Sequence, residues 1–290
     1  MPADYGSLLD SLRGVTWPAR RAALAGTAGT HRSRLRGLSA EFTEYRPYRQ
    51  GDDPRRLDWK LLARTDRAFL RITSDRATLG TVLVVDGSAS MAFPERTREK
   101  WAQACRIAMG LAAVAHASGD PVGLFIPSDG KPGRVEARTR RGVLAEIARV
   151  LDGWQPGGGA PLAPALGLLR GTPRIALIGD FLGDADDALR RGRELSAGGT
   201  EVHAIEIVAR EELEPPAATF LATDPESPEI RRPLTLDSRD PYLQQFAEWR
   251  LTTARAWRAG GATFTEVRTD ESAAHAVRRI CGLGAGVAAR

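Results

Sequence analysis

The chain has 290 residues, of which 42% are hydrophobic and 27% charged, a balance that excludes wholesale disorder and allows a full hydrophobic core. No apolar run approaches the roughly 18 residues of a membrane helix, so we expect no membrane insertion. The sequence does not start with a basic stretch followed by an apolar core, and the absence of a visible signal peptide predicts a cytoplasmic location. The two cysteines, Cys105 and Cys281, make neither a disulfide framework nor a metal cluster.

The net charge of +5 is concentrated at the start of the chain. Residues 1–80 carry 15 Arg and Lys against 9 Asp and Glu, whereas the remaining residues carry 26 against 27. A basic nucleic-acid-binding module is therefore one alternative for the function. Because no helix-turn-helix, RRM or zinc motif accompanies the charge, we expect no nucleic-acid partner.

Apolar periodicity predicts the elements in chain order. Residues 4–28 favour a helix that is interrupted near Thr16-Trp17-Pro18, and residues 32–76 mix short strands and turns, with 70–72 as one strand. After residue 77, strands alternate with helices. The predicted strands are 81–86, 122–126, 174–179, 201–208 and 262–267, and the predicted helices are 95–118, 139–151, 160–169, 184–197, 240–259 and 271–281.

This alternation implies parallel pairing and an α/β fold with a doubly wound, mostly parallel sheet. Two domains follow from the pattern. Residues 1–77 form an N-terminal helix plus an irregular Arg/Asp-rich segment, and residues 78–290 form the α/β domain. A proline-rich insertion near 209–238 breaks the rhythm of the second domain, and 220–222 and 230–234 can pair there as a hairpin.

Polar side chains follow two of the predicted buried strands. The strand at 81–86 ends on Asp86 and is followed by Ser88 and Ser90, and the strand at 174–179 is followed by Asp180. Parallel neighbouring strands would bring these groups to one edge of the sheet, where open α/β sheets bind ligands. Carboxylate and hydroxyl oxygens suit Mg²⁺, whereas capping of the next helix is the alternative role for the same residues.

Asp-x-Ser-x-Ser after a hydrophobic strand resembles the metal-ion-dependent adhesion site (MIDAS) of von Willebrand factor A domains. The resemblance implies a von Willebrand factor A-like, Rossmann-like fold in which Asp86, Ser88, Ser90 and Asp180 hold Mg²⁺. Such sites also use a loop threonine, and the matching position here is Ala160, which has no oxygen to offer. The predicted metal site is therefore degenerate.

A second motif lies in the basic segment and runs from Glu41-Phe42 to Ala63-Arg64. It is similar to the hallmark of the bacterial domain-of-unknown-function 58 family, which joins such a segment to a von Willebrand factor A domain. Arg–carboxylate pairs in this segment can form a structural network anchored by Trp59 and Phe42, or a partner-binding surface, and both interpretations stay open. The residues of this predicted network are Arg46, Asp52, Asp53, Arg55, Asp58, Trp59 and Arg64.

The resemblance implies a protein–protein interaction or adaptor protein rather than an enzyme. It further implies a partner of the MoxR class of AAA+ ATPases, working in assembly or maturation of other proteins, the client being unidentified. A hydrolase acting at the Asp86/Ser88 cleft is the remaining alternative. That alternative lacks support in the motif, because Gly87-Ser88-Ala89-Ser90-Met91 has no closing glycine of a nucleophile elbow.

Overall fold

The computed structural model describes residues 5–20, 28–32, 42–49, 52, 54, 57–73, 76–159, 161–183, 185–216, 220–223, 229 and 231–282. The described residues fall into two compact units. The larger unit comprises residues 5–18 together with 80–282, and the smaller unit lies within 19–79.

The first quarter of the chain contains one helix of the larger unit and the elements of the smaller one. These are α1 (Gly6–Ser11), β1 (Ala28–Arg32), β2 (Phe42–Pro47), α2 (Trp59–Thr65), β3 (Phe69–Thr73) and β4 (Arg76–Ala77). In the smaller unit, β2 pairs with β3 and β1 pairs with β4, both antiparallel. The strand predicted at 70–72 is confirmed as part of β3, whereas α2 was not predicted.

A six-stranded sheet forms the centre of the larger unit. Its strands are β5 (Thr81–Val85), β6 (Val122–Ile126), β7 (Gly133–Arg138), β8 (Arg174–Gly179), β9 (Glu201–Val208) and β12 (Thr263–Arg268). Between β9 and β12 in the sequence, β10 (Phe220–Thr223) and β11 (Arg231–Leu234) form a separate hairpin. The helices around it are α3 (Glu99–Ala117), α4 (Val143–Gly153), α5 (Leu162–Gly167), α6 (Ala185–Ala197), α7 (Arg210–Leu213), α8 (Leu236–Ala259) and α9 (Ala273–Ile280).

The strand order is β12-β9-β8-β5-β6-β7, with β7 antiparallel and every other neighbouring pair parallel. Counted within this sheet alone, the order is 3-2-1-4-5-6, that of a doubly wound fold. The direction of winding reverses between β5 and β8, which is the switch point of the sheet. The predicted fold class, a doubly wound and mostly parallel sheet, is confirmed.

Strand β7 was not predicted from the sequence, because Gly-Arg-Val-Glu-Ala-Arg contains a single strongly apolar residue, Val135. It lies at the edge of the sheet, and only one face of it is buried, through Gly133 and Val135. An antiparallel edge strand of this kind needs no continuous apolar run.

Both faces of the central strands are buried, which explains their near-continuous apolar sequences. Residues such as Leu83 and Ile205 pack on the face that holds α1, α3, α4 and α9. Val84 and Ala204 belong to the cluster on the opposite face, with residues of α5, α6 and α8.

Residues 5–18 belong to the core of the larger unit, although the sequence-based boundary at 77/78 groups them with the Arg/Asp-rich segment. Leu12, Val15 and Trp17 are buried in the cluster around α3, and the Trp17 ring lies 4.3 Å from the Arg174 guanidinium. The first part of the helical region predicted over 4–28 is α1, which ends at Ser11, and most of the part after the predicted interruption lies outside the described residues. Residues 12–18 are not helical, so the burial of Leu12, Val15 and Trp17 could not be predicted from a helical pattern of apolar residues.

The proline-rich insertion contains α7 and the β10–β11 hairpin, and the predicted pairing of 220–222 with 230–234 is confirmed. Helix α8 begins four residues earlier than predicted, because the Thr235 hydroxyl accepts a hydrogen bond from the Ser238 amide and caps it. Within the described ranges, no helix is both long and apolar enough to cross a membrane.

Candidate functional site at the switch point of the sheet

The two carboxylates predicted to meet do follow neighbouring strand ends. Strands β5 and β8 pair in parallel, and the Asp86 amide extends their ladder by donating to the Ile178 carbonyl over 2.8 Å. A Cβ atom added to Gly179 would lie 2.7 Å from the Asp86 Cβ, so glycine is needed for this close approach. Asp86 and Asp180 are thereby placed at the carboxyl edge of the sheet, at the switch point.

Asp86, Ser88 and Ser90 form a compact turn, which we call the Asp-Ser turn (residues 86–90). The Ser88 amide donates to Asp86 Oδ1 over 2.9 Å, and the Ser88 and Ser90 hydroxyl oxygens are 3.0 Å apart. All three side chains are buried, at 5% exposure or less. None of them caps α3, which starts only at Glu99 after the non-capping Arg98. The helix-capping alternative therefore fails for that helix.

A glycine loop (residues 154–159) lies against the Asp-Ser turn. Gly157 donates its amide to the Gly87 carbonyl, and Ala89 donates to the Gly158 carbonyl, each over 3.0 Å. A Cβ on Gly87 would lie 2.5 Å from Trp154 Nε1, so the contact depends on glycine. The position of Ala160, where the resemblance expects a threonine ligand, lies outside the described residues.

A buried cation that was not predicted from the sequence, Lys100 of α3, neutralises carboxylates at this edge of the sheet. Its ammonium lies 2.6 Å from Asp180 Oδ2 and 2.9 Å from Glu212 Oε1, and its side chain is 1% exposed. Burial alone would lower the pKa of Lys100, but the two carboxylates outweigh it and raise the pKa above its ordinary value. The one available signal was composition, since Lys60, Lys100 and Lys131 are the only lysines in an arginine-rich chain.

A further acidic residue, Glu206 of β9, was also missed. In the sheet register it stands between Gly179 of β8 and Glu266 of β12, and it is fully buried. Neither of its carboxyl oxygens accepts a hydrogen bond from any residue that the structure describes. Burial first, and then the charge of Glu266, raise the pKa of Glu206 to about 8, against the opposing effect of Arg250. Glu206 is therefore mostly protonated at neutral pH.

The surroundings of Asp180 bear on the predicted Mg²⁺ site. The Asp180 carboxylate already accepts hydrogen bonds at both oxygens, from Lys100 at Oδ2 and from the Leu182 amide at Oδ1 over 3.2 Å. A buried ammonium therefore supplies the positive charge that a divalent ion would bring. The arrangement does not fit a four-ligand site of Asp86, Ser88, Ser90 and Asp180, and Mg²⁺ binding stays a prediction from the sequence motif.

The geometry also bears on the hydrolase alternative. A serine nucleophile is activated by an adjacent base. The Ser88 hydroxyl instead pairs with the Ser90 hydroxyl, which cannot serve as that base. The alternative gains no support from the Asp-Ser turn.

In the smaller unit, part of the predicted Arg/Asp network is present as local contacts. Arg46 donates to Asp52 Oδ1 over 2.7 Å, and this hydrogen bond is the main cause that lowers the pKa of Asp52. Asp58 Oδ1 caps α2 by accepting from the Leu61 amide, and its Oδ2 accepts from the Tyr45 hydroxyl over 2.9 Å. These contacts support a structural role for Arg46, Asp52 and Asp58.

Trp59 is 63% exposed, so the structure does not support its predicted role as a hydrophobic anchor. Trp59 is the first residue of α2, directly after the Asp58 cap, and its side chain points to solvent. Arg64 is exposed in the last turn of the same helix and makes no ion pair with another described residue. Asp53, Arg55 and the Phe42 side chain lie outside the described residues.

The larger unit is a doubly wound α/β domain with the Asp-Ser turn at the switch point of its sheet, and a small Arg-rich unit is inserted in the sequence between residues 18 and 80. The chain belongs to the family described as "Protein of unknown function DUF58", whose model matches residues 44–250. This confirms the resemblance seen in the sequence.

Three individual similarities accompany the family match. The uncharacterized protein Rv1480 of Mycobacterium tuberculosis is 32% identical over 253 residues, which cover 83% of this chain and 78% of the relative. Among solved structures, the conserved hypothetical protein BatB from Bacteroides thetaiotaomicron has a TM-score of 0.46 at 16% identity, covering 70% of this chain and 96% of that one. The SpRpn10 VWA domain has a TM-score of 0.41 at 11% identity, covering 72% and 98%.

Proposed function

We propose that this protein is an adaptor that binds other proteins at the carboxyl edge of its six-stranded sheet. The observation that carries the proposal is the position of the Asp-Ser turn at the switch point between β5 and β8. Open α/β sheets bind their ligands in the crevice outside the strand ends at this point. The Asp-Ser turn, the glycine loop and the β8–α6 turn (residues 180–183) all emerge there.

The rim of this edge, rather than its polar interior, is the part that a partner can reach. Asp86, Ser88, Ser90 and Asp180 are each at most 5% exposed. Leu182 is 48% exposed in the β8–α6 turn, and Gly157 and Gly158 are exposed in the glycine loop. An exposed leucine and exposed glycine backbone at the same edge of the sheet offer apolar and polar contacts to a protein partner. The buried polar side chains hold these loops in place.

The partner in this proposal is a MoxR-type AAA+ ATPase, as the sequence resemblance of residues 41–64 implies, with a role in assembly or maturation of a client protein. The proposed adaptor has no catalytic activity of its own. Partner binding in this proposal does not require a bound divalent ion. The excess positive charge lies in the first 80 residues, and a cytoplasmic location remains a prediction.

The experiment measures binding of a purified MoxR-type ATPase from the same organism to wild type and to two leucine variants. Leu182→Asp places a charge on the proposed rim. Leu168→Asp is the matched control, because Leu168 is 76% exposed but precedes β8 and so lies at the opposite end of that strand. We expect Leu182→Asp to weaken binding by about tenfold or more and Leu168→Asp to leave it unchanged. Equal loss in both variants, or in neither, would contradict the proposed site.

A further inference from the structure

Lys100 ties three separate segments of the larger unit to one point. The residue lies in the first turn of α3, Asp180 follows β8, and Glu212 lies in α7 within the proline-rich insertion. The ammonium contacts both carboxylates at 2.6 and 2.9 Å and is almost completely buried. A buried charge is tolerated only when it is paired and hydrogen-bonded, as it is here.

The two carboxylates have no oxygen left without a donor. Asp180 uses Oδ2 for the ammonium and Oδ1 for the Leu182 amide. Glu212 uses Oε1 for the ammonium and Oε2 for the Ala209 amide over 2.7 Å. Each carboxylate therefore bridges the lysine to the backbone of its own turn, and the ammonium is built into the fold.

A divalent ion at the same carboxylate would conflict with this lysine. Magnesium binds carboxylate oxygen at about 2.1 Å, so an ion on Asp180 Oδ2 would lie within about 5 Å of the ammonium. Two cations this close in a buried site repel each other strongly, because little water screens them. Binding of the ion would require displacement of Lys100 from both of its partners.

We propose that the Lys100 ammonium is the resident cation of this sheet edge and stands in place of the divalent ion that the Asp-Ser turn predicts. The wild-type protein then holds the β8–α6 turn and α7 together without metal. Removal of the ammonium leaves Asp180 and Glu212 as an unneutralised pair, and these two carboxylates become a site that Mn²⁺ or Mg²⁺ can occupy together with water. The inference goes beyond the proposed function, since it concerns the chain alone without a partner.

The test compares the melting temperature and the metal content of wild type, Lys100→Ala and the exposed-lysine control Lys131→Ala. Each protein is stripped with EDTA and then measured in EDTA and in millimolar Mn²⁺. We expect wild type and Lys131→Ala to melt at the same temperature in both buffers and to retain no stoichiometric metal after gel filtration. We expect Lys100→Ala to melt lower in EDTA and to gain about 5 °C or more in Mn²⁺.

Stoichiometric metal in the wild type, or a wild-type melting temperature that EDTA lowers, would overturn the inference. A folded Lys100→Ala variant that is indifferent to Mn²⁺ would overturn it as well.

If Lys100→Ala does not fold, side-chain NMR of the wild type decides the question, because the chain has three lysines and hence three ammonium signals. A Lys100 signal that exchanges slowly and keeps its intensity in Mn²⁺ supports the inference. Paramagnetic broadening of that signal, with Lys60 and Lys131 unaffected, contradicts it.

Discussion

The substitution Glu206→Gln tests the electrostatics of the sheet edge through the dependence of stability on pH. Glu206 is fully buried, its carboxyl oxygens have no hydrogen-bond donor among the described residues, and its pKa rises from the ordinary 4.5 to about 8. Between these two values the folded protein binds a proton that the unfolded chain has released. The free energy of unfolding therefore falls as pH rises from about 5 to about 8, and the whole penalty persists above pH 8.

The size of this effect follows from the two pKa values. Each unit of difference corresponds to about 1.4 kcal/mol, so the contribution of Glu206 to the free energy of unfolding changes by about 3 kcal/mol between pH 5 and pH 8. For a unit of this size, about 3 kcal/mol corresponds to roughly 6–12 °C in melting temperature. The glutamine side chain has the same shape and does not titrate, so Glu206→Gln should lack this part of the pH dependence.

The assay is thermal or urea unfolding of wild type, Glu206→Gln and Glu248→Gln over this pH range. Glu248 is exposed in α8 and serves as the control for the chemistry of the substitution. We expect Glu248→Gln to follow the wild-type profile and Glu206→Gln to gain on the wild type as pH rises. Superimposable profiles for all three proteins would refute the reasoning, because the carboxyl would then not be buried and unpaired.

Two further predictions concern packing and capping. Gly179→Ala should destabilise the larger unit by about 1–3 kcal/mol, because the new Cβ would lie 2.7 Å from the Asp86 Cβ, whereas Gly153→Ala, with open space around it, should be nearly neutral in the same denaturant titration. Asp58→Ala should lower the stability of the smaller unit by about 0.5–2 kcal/mol through loss of the α2 cap and of the Tyr45 hydrogen bond. Hydrogen exchange at the amides of α2 measures that loss, and unchanged protection there would contradict it.

Much of the larger unit could be predicted, because strands buried on both faces leave continuous apolar runs. Strands β6, β8 and β9 were found at their observed bounds for this reason. Edge strand β7 was not predicted, because one of its faces is exposed. Helix α2 was not predicted, because the many charged residues of its segment obscure the apolar periodicity. The placement of residues 5–18 in the core depends on distant contacts that no local pattern contains.

The candidate site was predictable only in part, and the reason is long-range charge pairing. Asp86 and Asp180 could be placed together because strand ends of a parallel sheet meet at one edge. The partner of Asp180 could not be predicted, because Lys100 lies 80 residues from Asp180 and 112 residues from Glu212 along the chain. A lysine inside an amphipathic helix usually faces water, and only the fold shows that this one is buried between two carboxylates.

Hydrogen–deuterium exchange of the protein with and without its MoxR-type ATPase tests the central claim most directly, since it locates the bound surface without any substitution. Our account predicts protection in the glycine loop and the β8–α6 turn, with EDTA leaving that protection unchanged in nucleotide-free samples. Protection confined to the opposite end of the sheet, around residues 168–173, or protection that disappears in EDTA would contradict it.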